Sequence, residues 1–265
     1  MNTPAETLQI CINAGIKKTG DSILKTFISA MFAGSFIALG AIVNQLVSST
    51  VDSPSIARLL GACVFPIGLM MVTYTGVHLF TGNSLIFAVV LDGKTSIGKM
   101  LRNWLIVFLG NFVGGLLIAL ILSSCGTFDF GKGALAETVV SAADHKCSIG
   151  FGEAFLRGIM CNILVCIAVW ATYAAKSMTG KLMGLFFPTM LFVACGFEHC
   201  VANAYFIPAG IFTSLKYGID AGSANWGNLF AVNLLPVTLG NMVGGSLIIA
   251  LGFWVLHHKR PASNK

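Results

Sequence analysis

Six long apolar stretches dictate what this chain can become. They run over residues 23–47, 57–91, 100–123, 151–175, 182–217 and 226–256, each long enough for a helix to span a bilayer, which takes roughly 20 residues. Apolar residues run on without polar alternation, which argues against a β-barrel. Composition agrees: of 265 residues, 56% are hydrophobic and only 10% charged, with a mean hydropathy of +0.85, against about 25% charged in soluble domains. The expectation is a single all-α transmembrane domain over 1–265 with six crossings.

The second and fifth stretches are too long for plain helices, and a small, polar segment interrupts each. The two interruptions align without a gap, as "GVHLFTGN" (76–83) and "GFEHCVAN" (196–203). The third and sixth stretches match as well, as "GNFVGGLLI" (110–118) and "GNMVGGSLI" (240–248). This is an internal duplication, with repeats over about 21–123 and 151–258. Three crossings per half is an odd number, so the second copy enters the membrane in the opposite sense, giving an inverted 3+3 repeat with broken second and fifth helices. Irregular backbone at bilayer depth is tolerated only inside protein or along a water-filled cavity, so the two breaks should meet near the midplane. Half-helix N-termini there carry partial positive charge suited to an anion.

A formal charge of +6 would point to nucleic acid in a soluble protein. Here its distribution reads as orientation, and no nucleic-acid partner is expected. Eleven of the sixteen basic residues fall in the N-terminal tail (Lys17, Lys18, Lys25), the second loop (Lys94, Lys99, Arg102), the fourth loop (Lys176, Lys181) and the C-terminal tail (Lys259, Arg260, Lys265). Both termini are then cytoplasmic. Residues 1–20 lack the apolar core of a cleavable signal peptide. Within them Leu8, Ile12 and Ile16 recur four apart, as in an amphipathic helix lying on the membrane surface. The eight cysteines show no CxxC spacing and read as small buried hydrophobes. Whether Cys125 and Cys147, which flank one long loop, form a pair stays open.

Ionisable groups at bilayer depth cost at least about 2.5 kcal/mol each, so they usually mark a pathway. His199 is the one side chain in the second interruption able to change charge near neutral pH. It could attract an anion, or exchange a proton with it so that a neutral acid crosses beside apolar Phe192; the bland alternative is a neutral histidine bonded to a backbone carbonyl. Thr81, beside Leu79 in the first interruption, offers a hydroxyl to His199 or to a solute. Glu198 reads as structural, satisfying free backbone N–H groups, with Asn83 and Asn203 capping the helices that resume. Asn162 and Asn233 either face the pathway or bond between helices. Lys146 could draw anions toward a mouth. The Gly110/Gly114 and Gly240/Gly244 pairs permit close helix packing. No HExxH, Gly-x-Ser-x-Gly or phosphate-loop motif is present, so neither a metal nor a cofactor is expected and the chain does not read as an enzyme. The alternative class, an intramembrane enzyme using Glu198, His199 and the cysteines, would need one asymmetric catalytic centre, whereas paired broken helices suit passage of a solute.

The stretches "LFTGNS" (79–84), "ADHK" (143–146), "CNILVCIAVW" (161–170), "FVACGFEHCVANAYFIP" (192–208) and "NLLPVTLGNMVGG" (233–245) resemble the formate/nitrite transporter family along nearly the whole chain. The resemblance implies an aquaporin-like fold and a homopentamer in a bacterial inner membrane, each protomer passing small monovalent anions such as formate, nitrite or hydrosulfide. It further implies pore roles for Thr81, His199, Lys146, Asn162 and Asn233, and a constriction at Leu79 and Phe192. Because "LFTGN" departs from the "LFTST" form associated with formate channels, and the chain as a whole looks most like the clostridial hydrosulfide branch, hydrosulfide ranks first and formate or nitrite second.

Overall fold

A computed structural model describes residues 1–258; Lys259, Arg260 and Lys265, counted above for orientation, lie outside the described residues. Ten helices are seen among those described: α1 (Pro4–Gly20), α2 (Ile23–Ser48), α3 (Pro54–Thr75), α4 (Phe80–Leu91), α5 (Ile97–Ser124), α6 (Ala134–Ser148), α7 (Phe151–Ala174), α8 (Met178–Ala194), α9 (Cys200–Tyr217) and α10 (Trp226–His257). Five of them, α2, α3, α5, α7 and α10, are long and apolar enough to cross a membrane. The stretch over 182–217 instead divides between α8 and α9, and that over 57–91 between α3 and α4.

Both divisions follow from glycine. At Gly76 and Gly196 the backbone turns left-handed, at φ 67° and 69°, a conformation that costs residues with a Cβ and ends a helix cleanly. Three residues of non-helical chain follow each, and helix resumes at Phe80 and at Cys200. In α3, Pro66 supplies no N–H, and α10 carries two π-helical stretches, Leu229–Leu234 and Val243–Ala250.

α2 packs along α5, and α7 along α10. A Cβ at Gly110, Gly114, Gly240 or Gly244 would run into backbone carbonyls of Phe27, Met31, Phe155 and Ile159 respectively, so these glycines set the spacing of both helix pairs. The N-terminal helix differs from the amphipathic surface helix expected. A capping box between Thr3 and Glu6 starts it, and its Leu8, Cys11, Ile12 and Gly15 are buried against α4 and α7, leaving Ile16 exposed. Its apolar face is thus spent on protein rather than lipid. Cys125, exposed, and Cys147, buried, are both free thiols. Between α5 and α6 lies a 3₁₀ turn, Thr127–Gly133, where Phe130, Gly131 and Lys132 are exposed and Lys132 holds φ at 57°.

Candidate functional site

The starts of α4 and α9 leave backbone N–H groups without helical partners. Two asparagines answer them identically. Asn111 Oδ1 accepts from Phe80 N at 2.9 Å, while its Nδ2 donates to the carbonyls of His78 (3.0 Å) and Ala30 (2.7 Å). Asn241 Oδ1 accepts from Cys200 N at 3.0 Å, while its Nδ2 donates to the carbonyls of Glu198 (3.0 Å) and Gly158 (2.8 Å). These are the asparagines of the repeated Gly-Asn pairs. Sequence reasoning credited those pairs to their glycines alone and missed the amides.

Asn83 and Asn203 are therefore not the caps they were expected to be. Asn203 Nδ2 donates to Glu198 Oε2 and to Asn233 Oδ1, both at 2.7 Å, and Asn233 Nδ2 donates to the Lys146 carbonyl at 2.9 Å. Asn83 Nδ2 donates to Asn103 Oδ1 at 2.9 Å, and Asn103 Nδ2 to the Lys18 carbonyl at 3.1 Å. The two chains of bonds match link for link, and they draw α1 and α6 into the likeness between the halves, beyond residues 21–123 and 151–258. They differ at one charge. Lys146 Nζ pairs with Glu198 Oε1 at 2.8 Å, whereas Lys18 Nζ donates to the neutral Asn83 Oδ1 at 2.7 Å. His78, which stands where the other half has Glu198, pairs instead with Asp21 at 3.3 Å. Glu198 accordingly takes its bonds from side chains rather than from the free backbone N–H groups expected.

His199 and Thr81 meet across the two breaks, with Thr81 Oγ1 2.9 Å from His199 Nε2. His199 caps α9, because its Nδ1 accepts from Ala202 N at 3.1 Å. An accepting Nδ1 carries no proton, so in neutral imidazole the proton sits on Nε2 and is donated to Thr81. The Thr81 hydroxyl is left with a proton of its own. Phe192 stacks on the His199 ring at 5.8 Å, and Phe65 meets Phe192 edge-on at 5.6 Å. Leu79, Thr81, Phe192 and His199 are all at most 3% exposed.

Two cavities adjoin this contact. One, of about 390 Å³, is lined by Lys146, Glu198, His199, Asn203, Gln45 and Arg58 among others. The second, of about 430 Å³, is lined by Lys18, Asp21, His78, Leu79, Gly82 and Tyr173 among others. Asn162 and Asn233 line neither. Asn162 Nδ2 is spent on Ser84 Oγ (3.1 Å) and the Asn241 carbonyl (2.6 Å), joining α7 to α4 and α10. Outside the apolar spans, burial lowers the Lys18 pKa from 10.5 to about 8 and raises the Cys11 thiol to about 12.

Apolar spanning helices, two half-buried lysines at polar cavities and a histidine–threonine contact between them define a helical membrane channel or transporter. Its sequence matches the profile described as Formate/nitrite transporter over residues 5–255. The chain belongs to the formate/nitrite transporter family. It is 37% identical to the Formate channel FocA of Haemophilus influenzae, over 94% of this chain and 92% of that protein. It is similar to a solved pentameric formate channel with formate bound, at TM-score 0.79 and 34% identity over 89% of this chain and 98% of that one. It is also similar to a solved FNT family ion channel, at TM-score 0.83 and 29% identity over 94% and 98%.

Proposed function

We propose that the chain is a conduit for small monovalent anions across a bacterial inner membrane, with formate ahead of hydrosulfide and nitrite. The observation that carries this reading is the pair of lysine-bearing cavities separated by the apolar-walled contact of Thr81 with His199. The order of solutes reverses the expectation, which rested on the "LFTGN" loop and on likeness of the whole chain to the hydrosulfide branch: the Haemophilus influenzae relative and the pentameric channel reported above are both named for formate.

In this reading α2, α3 with α4, α5, α7, α8 with α9, and α10 make six crossings, three in each half and opposed in direction. The excess of basic residues in the tails and even-numbered loops puts both termini in the cytoplasm. Likeness to a pentameric channel supports a homopentamer with a pathway in every protomer.

Lys18 draws the anion into its cavity, while Lys146 in the other is held by Glu198, and the dry ring of Leu79 and Phe192 then opposes a bare charge. The Thr81 hydroxyl, polarised by the Nε2–H of His199, offers a hydrogen bond at the point of greatest cost. His199 acts here as a fixed neutral donor. Exchanging its proton with the solute, as the sequence led one to consider, would require Nδ1 to give up the Ala202 N–H that holds the ring. Glu198, Asn83 and Asn203 hold the breaks in shape, and Asn162 and Asn233 brace the wall from behind.

Proteoliposome flux tests this. Formate, nitrite and hydrosulfide should pass and sulfate should not, because a dry constriction cannot repay the desolvation of two charges. Sulfate flux equal to that of formate, or no flux of any of the three monovalent ions, overturns the reading. Native mass measurement giving only monomers or dimers overturns the pentamer.

A further inference from the structure

Four helical turns beyond the paired asparagine contacts, each cavity holds a neutral donor that the protein does not use. Asn111 and Asn241 bind the carbonyls of Ala30 on α2 and Gly158 on α7. Fifteen residues further along each helix stand Gln45 and Tyr173, about four turns away. The likeness between the halves therefore puts these two side chains at equivalent stations. Gln45 lines the cavity of Lys146, and Tyr173 lines the cavity of Lys18.

Neither side-chain donor is taken up by protein. Gln45 is 2% exposed; its Oε1 accepts from the Tyr205 hydroxyl at 3.3 Å, and its Nε2 has no partner. With the amide so placed, the Tyr205 hydroxyl donates to its oxygen and the unpaired end is the N–H donor. Tyr173 gives its carbonyl to Asn2 Nδ2 at 2.9 Å, and its hydroxyl makes no hydrogen bond among the described residues. Buried polar groups without partners are rare, and each asks for a reason. Gln45 Nε2 is one of them; the hydroxyl of half-buried Tyr173, at the matching place beside the other cavity, is likewise left without a protein partner among the described residues.

We infer that Gln45 and Tyr173 are the solute-receiving donors of the two cavities, each giving one neutral hydrogen bond to an acceptor atom of a small monovalent anion before it reaches Thr81. This rests on the conduit reading and adds residues to it. A neutral donor replaces part of the ion's water shell without trapping it as a second cation would. It also leaves the Lys146–Glu198 pair intact, since the anion need not compete with the carboxylate.

The test is formate uptake into proteoliposomes in which the protein has one orientation, with formate supplied from either face. Tyr173→Phe removes one oxygen, and Gln45→Met keeps the length of the side chain without its donor. Loss of one hydrogen bond should raise the half-saturating formate concentration about threefold to tenfold, for entry through the cavity that lost its donor and not from the other face. A structural role would change both faces alike. Unchanged concentration dependence in Tyr173→Phe, or an equal shift on both faces, overturns the inference; should Gln45→Met fail to assemble, Gln45→Glu and the Tyr173→Phe arm decide it. If the unaltered protein passes none of formate, nitrite and hydrosulfide, it is the conduit reading that fails.

Discussion

Lys146 closes an ion pair with Glu198 at 2.8 Å, while Lys18, at the matching place in the other half, meets only the uncharged oxygen of Asn83 at 2.7 Å. The two mouths of the proposed pathway are thus unlike in charge although alike in framework. One lysine is neutralised by a carboxylate that two asparagines also hold. The other keeps its charge for whatever enters.

Removing the carboxylate should therefore destabilise the protein. Glu198→Gln leaves Lys146 as a largely buried cation without a counter-charge, and breaking such a pair costs about 3–5 kcal/mol. Thermal unfolding of the solubilised protein should shift to lower temperature, and adding Lys146→Met should recover part of the loss. Equal stability of Glu198→Gln and the parent would show that the pair is not coupled.

Lys18 predicts a pH dependence. Burial lowers its pKa from 10.5 to about 8, and the groups around it are Cys11, whose thiol stays neutral to about 12, His78, Asn83 and Asn103. The folded protein releases this proton near pH 8 and the unfolded chain holds it to 10.5, so unfolding takes up a proton in that window. Stability should rise with pH there, while anion flux falls as pH passes about 8 and the cavity loses its cation. Lys18→Met should abolish that step in a flux-against-pH series; persistence of the step would assign it elsewhere.

His199→Asn separates two roles. Asparagine is a good N-cap and can take over the bond from Ala202, but it lacks the Nε2–H that polarises Thr81. Flux should drop about tenfold, in line with one hydrogen bond, with its pH profile between about pH 5 and 8 unchanged. A changed profile would instead restore proton exchange at this ring.

Asn111→Leu and Asn241→Leu should be equally damaging, since each strips one helix start and two carbonyls of their partners, at about 1–3 kcal/mol per group. Yield of assembled protein and unfolding temperature in detergent check this. A marked difference between the two would mean that the matched bonds do not bear matched loads.

Much of this was legible in the sequence, because local chemistry writes it there. Unbroken apolar runs located the long helices, and Gly76 and Gly196 announced where helix stops, since left-handed backbone needs glycine. The meeting of Thr81 and His199 followed from aligning the two interruptions. What stayed hidden depends on partners distant along the chain. Asn83 and Asn203 lie one turn inside the resumed helices, whose first N–H groups are met by Asn111 and Asn241 on other helices and, in α9, also by His199; only the repetition of the Gly-Asn pairs hinted at the asparagines' part. The burial of α1 was hidden for a related reason: the spacing of Leu8 and Ile12 announces an apolar face but does not say whether lipid or α4 and α7 will cover it.

The exposed turn at Phe130–Lys132 is a seam. On either side of it lies a complete kit: a helix carrying the cavity lysine, a glycine stop, a bracing asparagine and a close-packed pair of long helices. A gene severed at that turn would encode two polypeptides, neither lacking a part that the other possesses in duplicate, and their joint expression should rebuild the protein. The single chain would then be seen as a fused heterodimer, free to let one mouth drift from the other after the copying, as the charges at Lys18 and Lys146 have done.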